Sequence, residues 1–116
     1  MSTHPTQVRI AAIFGALAVI LGAFGAHGLK ATLAAHDTAA TWQTASHYHL
    51  IHAVVLLVLG VAGLSRWGWN LIASGTVIFS GTLYVLSVTG IKWLGAITPL
   101  GGLLLIAGWL LVAFRR

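Results

Sequence analysis

Six histidines stand in this sequence, and three of them fall in the segment His47-Tyr48-His49-Leu50-Ile51-His52. Imidazole ligates metals, carries protons near neutral pH and exchanges hydrogen bonds as donor or acceptor. Chemistry would be sought first in this segment. On a helix, Tyr48, His49 and His52 share a face while His47 points away. The wholly apolar stretch after His52 ends at Leu64. At ~1.5 Å per residue that is too short to cross a bilayer, so the helix must begin upstream and carry His52 into hydrocarbon. His27, Tyr84 and Thr98 fall near the same end of the neighbouring apolar runs. The expected polar cluster is therefore His27, Tyr48, His52, Tyr84 and Thr98, in the outer half of the membrane. His4 and His36 read as solvated surface residues.

An ionisable group inside a membrane is a functional candidate by default. His27, His49 and His52 are candidate metal ligands, and two of them could ligate haem. Against this, the chain has no HExxH motif and no carboxylate cluster; its one acid is Asp37. The preferred reading is a structural network of neutral histidines with no cofactor. Metal or haem binding, and proton or small-ligand handling, are the alternatives. Asp37 itself fits as the N-cap of a helix starting at Thr38. With no cysteine, thiolate metal sites, disulfides, CxxCH haem attachment and cysteine nucleophiles are excluded. No nucleophile–base pair is visible, so the chain is not expected to be an enzyme.

The elements that position these residues follow from composition. The chain is 59% hydrophobic and 6% charged, with a mean hydropathy of +0.98. Soluble domains run at about 25% charged, which excludes an ordinary soluble enzyme and a disordered chain. The net charge of +5 comes from six dispersed Lys and Arg residues without interleaved aromatics, so nucleic acid is not an expected partner. Four apolar runs, about 8–26, 45–64, 69–88 and 93–114, each approach the ~20 residues that span a bilayer. The first is longer than a signal-peptide core and is read as a membrane helix. Short connections force antiparallel neighbours. The expected fold is all-α: a single membrane domain over 1–116, an antiparallel bundle of four transmembrane helices. Leu29, Leu33 and Ala34 in the first loop suggest a short interfacial helix.

Arg9, Arg66, Arg115 and Arg116 mark one side of this frame, Lys30 and Lys92 the other. That bias predicts a multi-pass protein of the cell membrane with both termini cytoplasmic. Ala11, Gly15, Ala18, Gly22 and Gly25 form one small-residue face on the first helix, which reads as a packing seam. Gly101 and Gly102 permit close contact on the fourth, where Pro99 either kinks the helix or sits in its first turn with Thr98 as cap. Thr76, Ser80, Tyr84 and Ser87 form a polar stripe on the third that should face inward.

The run Gly22-Ala-Phe-Gly-Ala-His-Gly-Leu29 resembles the signature of the YgdD/YwdK family of small four-helix membrane proteins. Trp42-Gln-Thr-Ala with Tyr48 and His52, Phe79-Ser-Gly-Thr-Leu-Tyr84, and Thr98-Pro-Leu-Gly-Gly102 with Gly108-Trp109 extend the resemblance, in order, along nearly the whole chain. It implies a membrane protein and a domain of unknown function, with no reaction or substrate attached. His27, Tyr48, His52 and Tyr84 match the family pattern. The functional reading is a non-catalytic packing or accessory protein, acting with itself or with a membrane partner in the lipid bilayer. A small oligomeric transporter or channel is a further alternative, weakened because small multidrug exporters use a membrane-embedded glutamate and this chain has none.

Overall fold

The computed structural model describes residues 3–114. Arg115 and Arg116, used above for orientation, lie outside the described residues. The chain forms α1 (Pro5–Ala26), α2 (Lys30–His36), α3 (Ala39–Ala62) and α4 (Arg66–Thr89), then a 3-10 turn (Lys92–Ala96) and α5 (Thr98–Phe114). Four helical segments, α1, α3, α4 and the run Lys92–Phe114, are long and apolar enough to cross a membrane. The outward side chains are apolar, with Val19 67% and Leu103 63% exposed, as a lipid-facing surface requires.

Helix ends explain the differences from the expected spans. α3 starts at Ala39, six residues before the apolar run at 45. Asp37 does not cap it. The residue lies in the left-handed region at φ 53 and closes α2 instead. Thr38 takes the N-cap position, but its hydroxyl donates to the Ser87 carbonyl at 2.6 Å and so ties the loop to the end of α4. The fourth span is not one helix. Pro99 has no N–H, and its ring excludes the carbonyl a helical turn earlier. Regular helix therefore begins at Thr98 with Pro99 in the first turn. Gly63 and Gly90 end α3 and α4 at φ 65 and 72, where a side chain would be strained.

α1 packs on α3, α3 on α4 and α4 on α5. Among the described residues no Cα of α1 comes within 8 Å of α4 or α5, and none of α3 within 8 Å of α5. The bundle is thus flattened, with Cα extents of 48 × 26 × 16 Å. Leu56, Leu59, Trp69, Ile72 and Leu105 fill its centre, with Ala11 reaching in from α1. The α4–α5 contact is the closest. A Cβ on Gly75 would meet the Leu105 nitrogen at 2.8 Å and the Gly101 carbonyl at 2.9 Å, and one on Gly101 would run into the Phe79 backbone. Gly102 stands in ordinary contact, 3.8 Å from Phe79 Cδ2.

The α1 seam is narrower than its small-residue face. Ala11 and Ala18 are buried, and a Cβ on Gly25 would strike the Trp42 indole. Gly15 and Gly22, expected in the same seam, have nothing within 4 Å of where a Cβ would stand. The physical reason is rotation. Ala11, Ala18 and Gly25 repeat every seven residues and form one row, which the α3 crossing uses. Gly15 and Gly22 form the adjacent row, about 40–60° round the helix, at the edge of the contact, where Gly22 borders a groove shared with Trp42, Ser46 and Leu50 of α3.

Candidate functional site: two histidine joints in the membrane

α3 places His49 and His52 one turn apart, and each reaches a different neighbour. Both are buried. Counting from Ala39, His52 lies ~20 Å along a helix ~36 Å long, near its middle.

His49 forms the joint on the α1 side. Its Nδ1 lies 2.8 Å from the Tyr84 hydroxyl, which also reaches Ser46 Oγ at 3.5 Å. Phe14 of α1 meets the His49 ring edge-on, with centroids 6.1 Å apart. The Trp42 ring packs on Tyr84 at 4.6 Å, and its N–H donates to the Leu21 carbonyl at 3.0 Å. Three polar contacts and three aromatic rings thereby tie α1, α3 and α4 together. A narrow crevice of about 180 Å³ opens beside this joint, between Phe14, Leu17, His49, Ser80 and Tyr84.

His52 forms the joint on the α5 side. The Trp109 indole N–H donates to His52 Nε2 at 3.1 Å, and His52 Nδ1 lies 2.7 Å from the Tyr48 carbonyl. An indole N–H can only donate. Nε2 is therefore the acceptor, and the proton sits on Nδ1, where it donates to the carbonyl. This neutral tautomer satisfies both ring nitrogens. Tyr48 stacks nearly parallel to the His52 ring, 6.0 Å away, and packs on Phe79 at 4.6 Å.

The single expected cluster is thus two joints. Tyr84 pairs with His49, not His52. Tyr48 accompanies His52 but is 40% exposed. Thr98 meets Thr82 at 2.7 Å and neither histidine. His27 is exposed at the end of α1 and takes no part in either joint. Among the described residues no group of three metal-binding side chains converges. The candidate ligands His27, His49 and His52 are separated because α3 directs the last two toward different helices. Both ring nitrogens of His52 are engaged within the chain, and His49 Nδ1 pairs with the Tyr84 hydroxyl. Trp109 is the participant that sequence reasoning missed. The polar stripe of α4 does face inward: Thr76, Ser80 and Ser87 are buried, and Ser80 Oγ donates to the Ala45 carbonyl at 2.8 Å.

Comparison with known proteins places this architecture. The UPF0382 membrane protein YwdK of Bacillus subtilis is 44% identical over 113 residues, covering 90% of each chain. A UPF0382 membrane protein of Staphylococcus aureus (strain bovine RF122 / ET3-1) is 42% identical over 110 residues, 90% of this chain and 89% of its own. One from Schizosaccharomyces pombe is 36% identical over 109 residues, 87% of this chain and 92% of its own. No solved structure matches. A family profile described as "Protein of unknown function (DUF423)" matches residues 21–102, and with these relatives it shows that the chain belongs to the DUF423 family of membrane proteins.

Proposed function

We propose that this chain is a non-catalytic membrane protein that acts by lateral association, taking α1 of a second copy against its own α1. The observation that carries this reading is the unused row Gly15–Gly22, where no atom beyond α1's own adjoining backbone lies within 4 Å of either Cβ position. Small residues seven apart on a membrane helix let another backbone approach closely. A row that its own chain leaves bare is suited to a contact from outside. Two identical rows can meet about a two-fold axis, each satisfying the other, so self-association needs no further surface. Beside the row a groove of about 470 Å³ runs past Gly22, Gly25, Trp42, Ser46 and Leu50, leaving room for side chains of an approaching helix. The reading is supported by the buried histidines and serines of the spans, which are engaged in bonds between and within helices.

The test uses the absence of native cysteine. Gly15→Cys and Gly22→Cys, oxidised in native membranes, are expected to give a cross-linked dimer, while Ile13→Cys on the opposite face gives none. Monomer throughout would end the reading. An adduct heavier than the dimer would replace the second copy with a different partner.

The same reading places the protein in the cell membrane with both termini cytoplasmic. It is supported by Arg9 and Arg66 at the terminal end of the bundle and by Lys30 and Lys92 at the other, in the two-to-one ratio that Arg115 and Arg116 complete from the sequence.

A further inference from the structure

A second polar site lies at the end of the bundle where α1 and α4 begin. The residues before α1 are strapped onto the end of α3: the His4 N–H donates to the Gly60 carbonyl at 2.9 Å, and the Thr3 hydroxyl to the Val61 carbonyl at 2.9 Å. These bonds satisfy carbonyls that a helix C-terminus leaves open. They also hold His4 and Gln7 opposite the first turns of α4. Between them lies a pocket of about 500 Å³ walled by His4, Gln7, Ile10, Arg66, Trp69 and Asn70. Trp69 is buried and fixed by its N–H bond to the Leu56 carbonyl at 3.0 Å, so it forms a rigid wall.

The polar groups here differ from those of the histidine joints, because the chain leaves them unengaged. Gln7 Oε1 is buried without a hydrogen-bond partner; as an acceptor it calls for a donor, such as a headgroup hydroxyl, and not for a phosphate oxygen. Among the described residues, no hydrogen bond or ion pair engages the side chains of His4, Arg66 or Asn70. The only acidic side chain, Asp37, lies beyond the opposite end of α3, ~36 Å of helix away. Among the described residues the pocket therefore has a cation and hydrogen-bonding groups but no anion. A guanidinium presents a planar fork of donors suited to phosphate oxygens. Pro5 and Arg66 are the first residues of their helices, which sets the pocket at the membrane boundary, where lipid phosphates lie. Ile10, half a turn to one turn deeper than Gln7, provides an apolar exit toward hydrocarbon.

We propose that this pocket binds the phosphate of an anionic phospholipid in the leaflet on the side of the chain termini. Arg66 supplies the charge, Asn70 and His4 supply hydrogen bonds, and the acyl chains leave past Ile10. A zwitterionic headgroup binds less well, because no carboxylate in the pocket receives its cationic end.

The test is native mass spectrometry of the full chain, delipidated in detergent and titrated with phosphatidylglycerol or phosphatidylcholine. One tightly held phosphatidylglycerol is expected per chain. Removing one cation beside an anionic headgroup typically weakens binding about fivefold, so Arg66→Gln should bring phosphatidylglycerol down toward the phosphatidylcholine level. Lys30→Gln, at the other end, should leave it unchanged. Asn70→Ala, which keeps the charge, should weaken phosphatidylglycerol by a smaller factor and keep its advantage over phosphatidylcholine. Thermal unfolding of each variant separates lost binding from lost fold. Equal retention of the two lipids, or an undiminished preference in folded Arg66→Gln, would overturn the proposal. Displacement of the lipid by millimolar glycerol phosphate would overturn its assignment to a membrane lipid in favour of a soluble phosphate ester.

Discussion

The indole N–H of Trp109 meets His52 Nε2 at 3.1 Å, joining α5 to α3, although no Cα atoms of these two helices come within 8 Å among the described residues. The bond crosses over the groove beside α4, about 360 Å³ in volume and lined by Tyr48, Phe79 and Ile106 as well as the two partners. It holds together two helices that do not pack on each other, and it fixes the histidine tautomer in doing so.

Trp109→Phe keeps most of the aromatic bulk and removes the indole donor to Nε2. Interhelical hydrogen bonds in membranes average ~0.6 kcal/mol and reach ~1.7. A double-mutant cycle with His52→Leu, read by unfolding in mixed micelles, should give a coupling energy in that range. Additive losses would mean that the two side chains are merely neighbours.

Tyr84→Phe separates hydrogen bonding from packing at the other joint. The ring stays against Trp42, while His49 Nδ1 loses its partner. A buried group left unpaired typically costs about 1–3 kcal/mol, whereas replacing both partners by apolar groups is nearly neutral. Tyr84→Phe should therefore be less stable than Tyr84→Phe combined with His49→Leu. If the double variant is the weaker, the 2.8 Å contact is not what holds this level of the bundle.

These joints show what the sequence carries and what it leaves open. The spans are legible because bilayer thickness sets their length and short loops set their direction. The place of the His47–His52 segment inside a span is legible because the apolar stretch after it is too short to span. The pairing is not legible. His49 and His52 are ~60° apart on α3, so a periodicity argument places both on one face; only the positions of α1, α4 and α5 decide which neighbour each meets. Trp109 had a readable signal. Five residues short of Phe114, it is too deep to act only as an interfacial anchor, and an indole N–H in hydrocarbon needs an acceptor. Asp37 misled because a carboxylate before a helix usually caps it, while here the turn required a left-handed residue at that position.

Topology follows from charge. A reporter fused after Arg116 and one inserted at Asp37 should report opposite sides of the membrane, with the Arg116 fusion cytoplasmic. Reversal of both signals would invert the orientation while leaving the bundle intact. Identical signals from both sites would remove one of the four spans.

Glycine substitutions should divide by location rather than by residue type. At Gly75 and Gly101 an added Cβ meets backbone atoms of the facing helix. Backbone cannot swing aside as a long side chain can, so the two helices must move apart. Gly75→Ala and Gly101→Ala should each cost about 1–3 kcal/mol in the detergent-solubilised monomer, the usual range for overpacking a tight contact. Gly22 has open space instead. Gly22→Ala should leave monomer stability within ~1 kcal/mol, since alanine is the better helix former by about that amount. Gly22→Leu should likewise leave the monomer folded, yet suppress the cross-link formed through Gly15→Cys by keeping the second α1 at a distance. Unfolding measurements and cross-linking on the same variants check the two halves independently. A large loss of monomer stability in Gly22→Leu would show that this row already serves the chain's own packing.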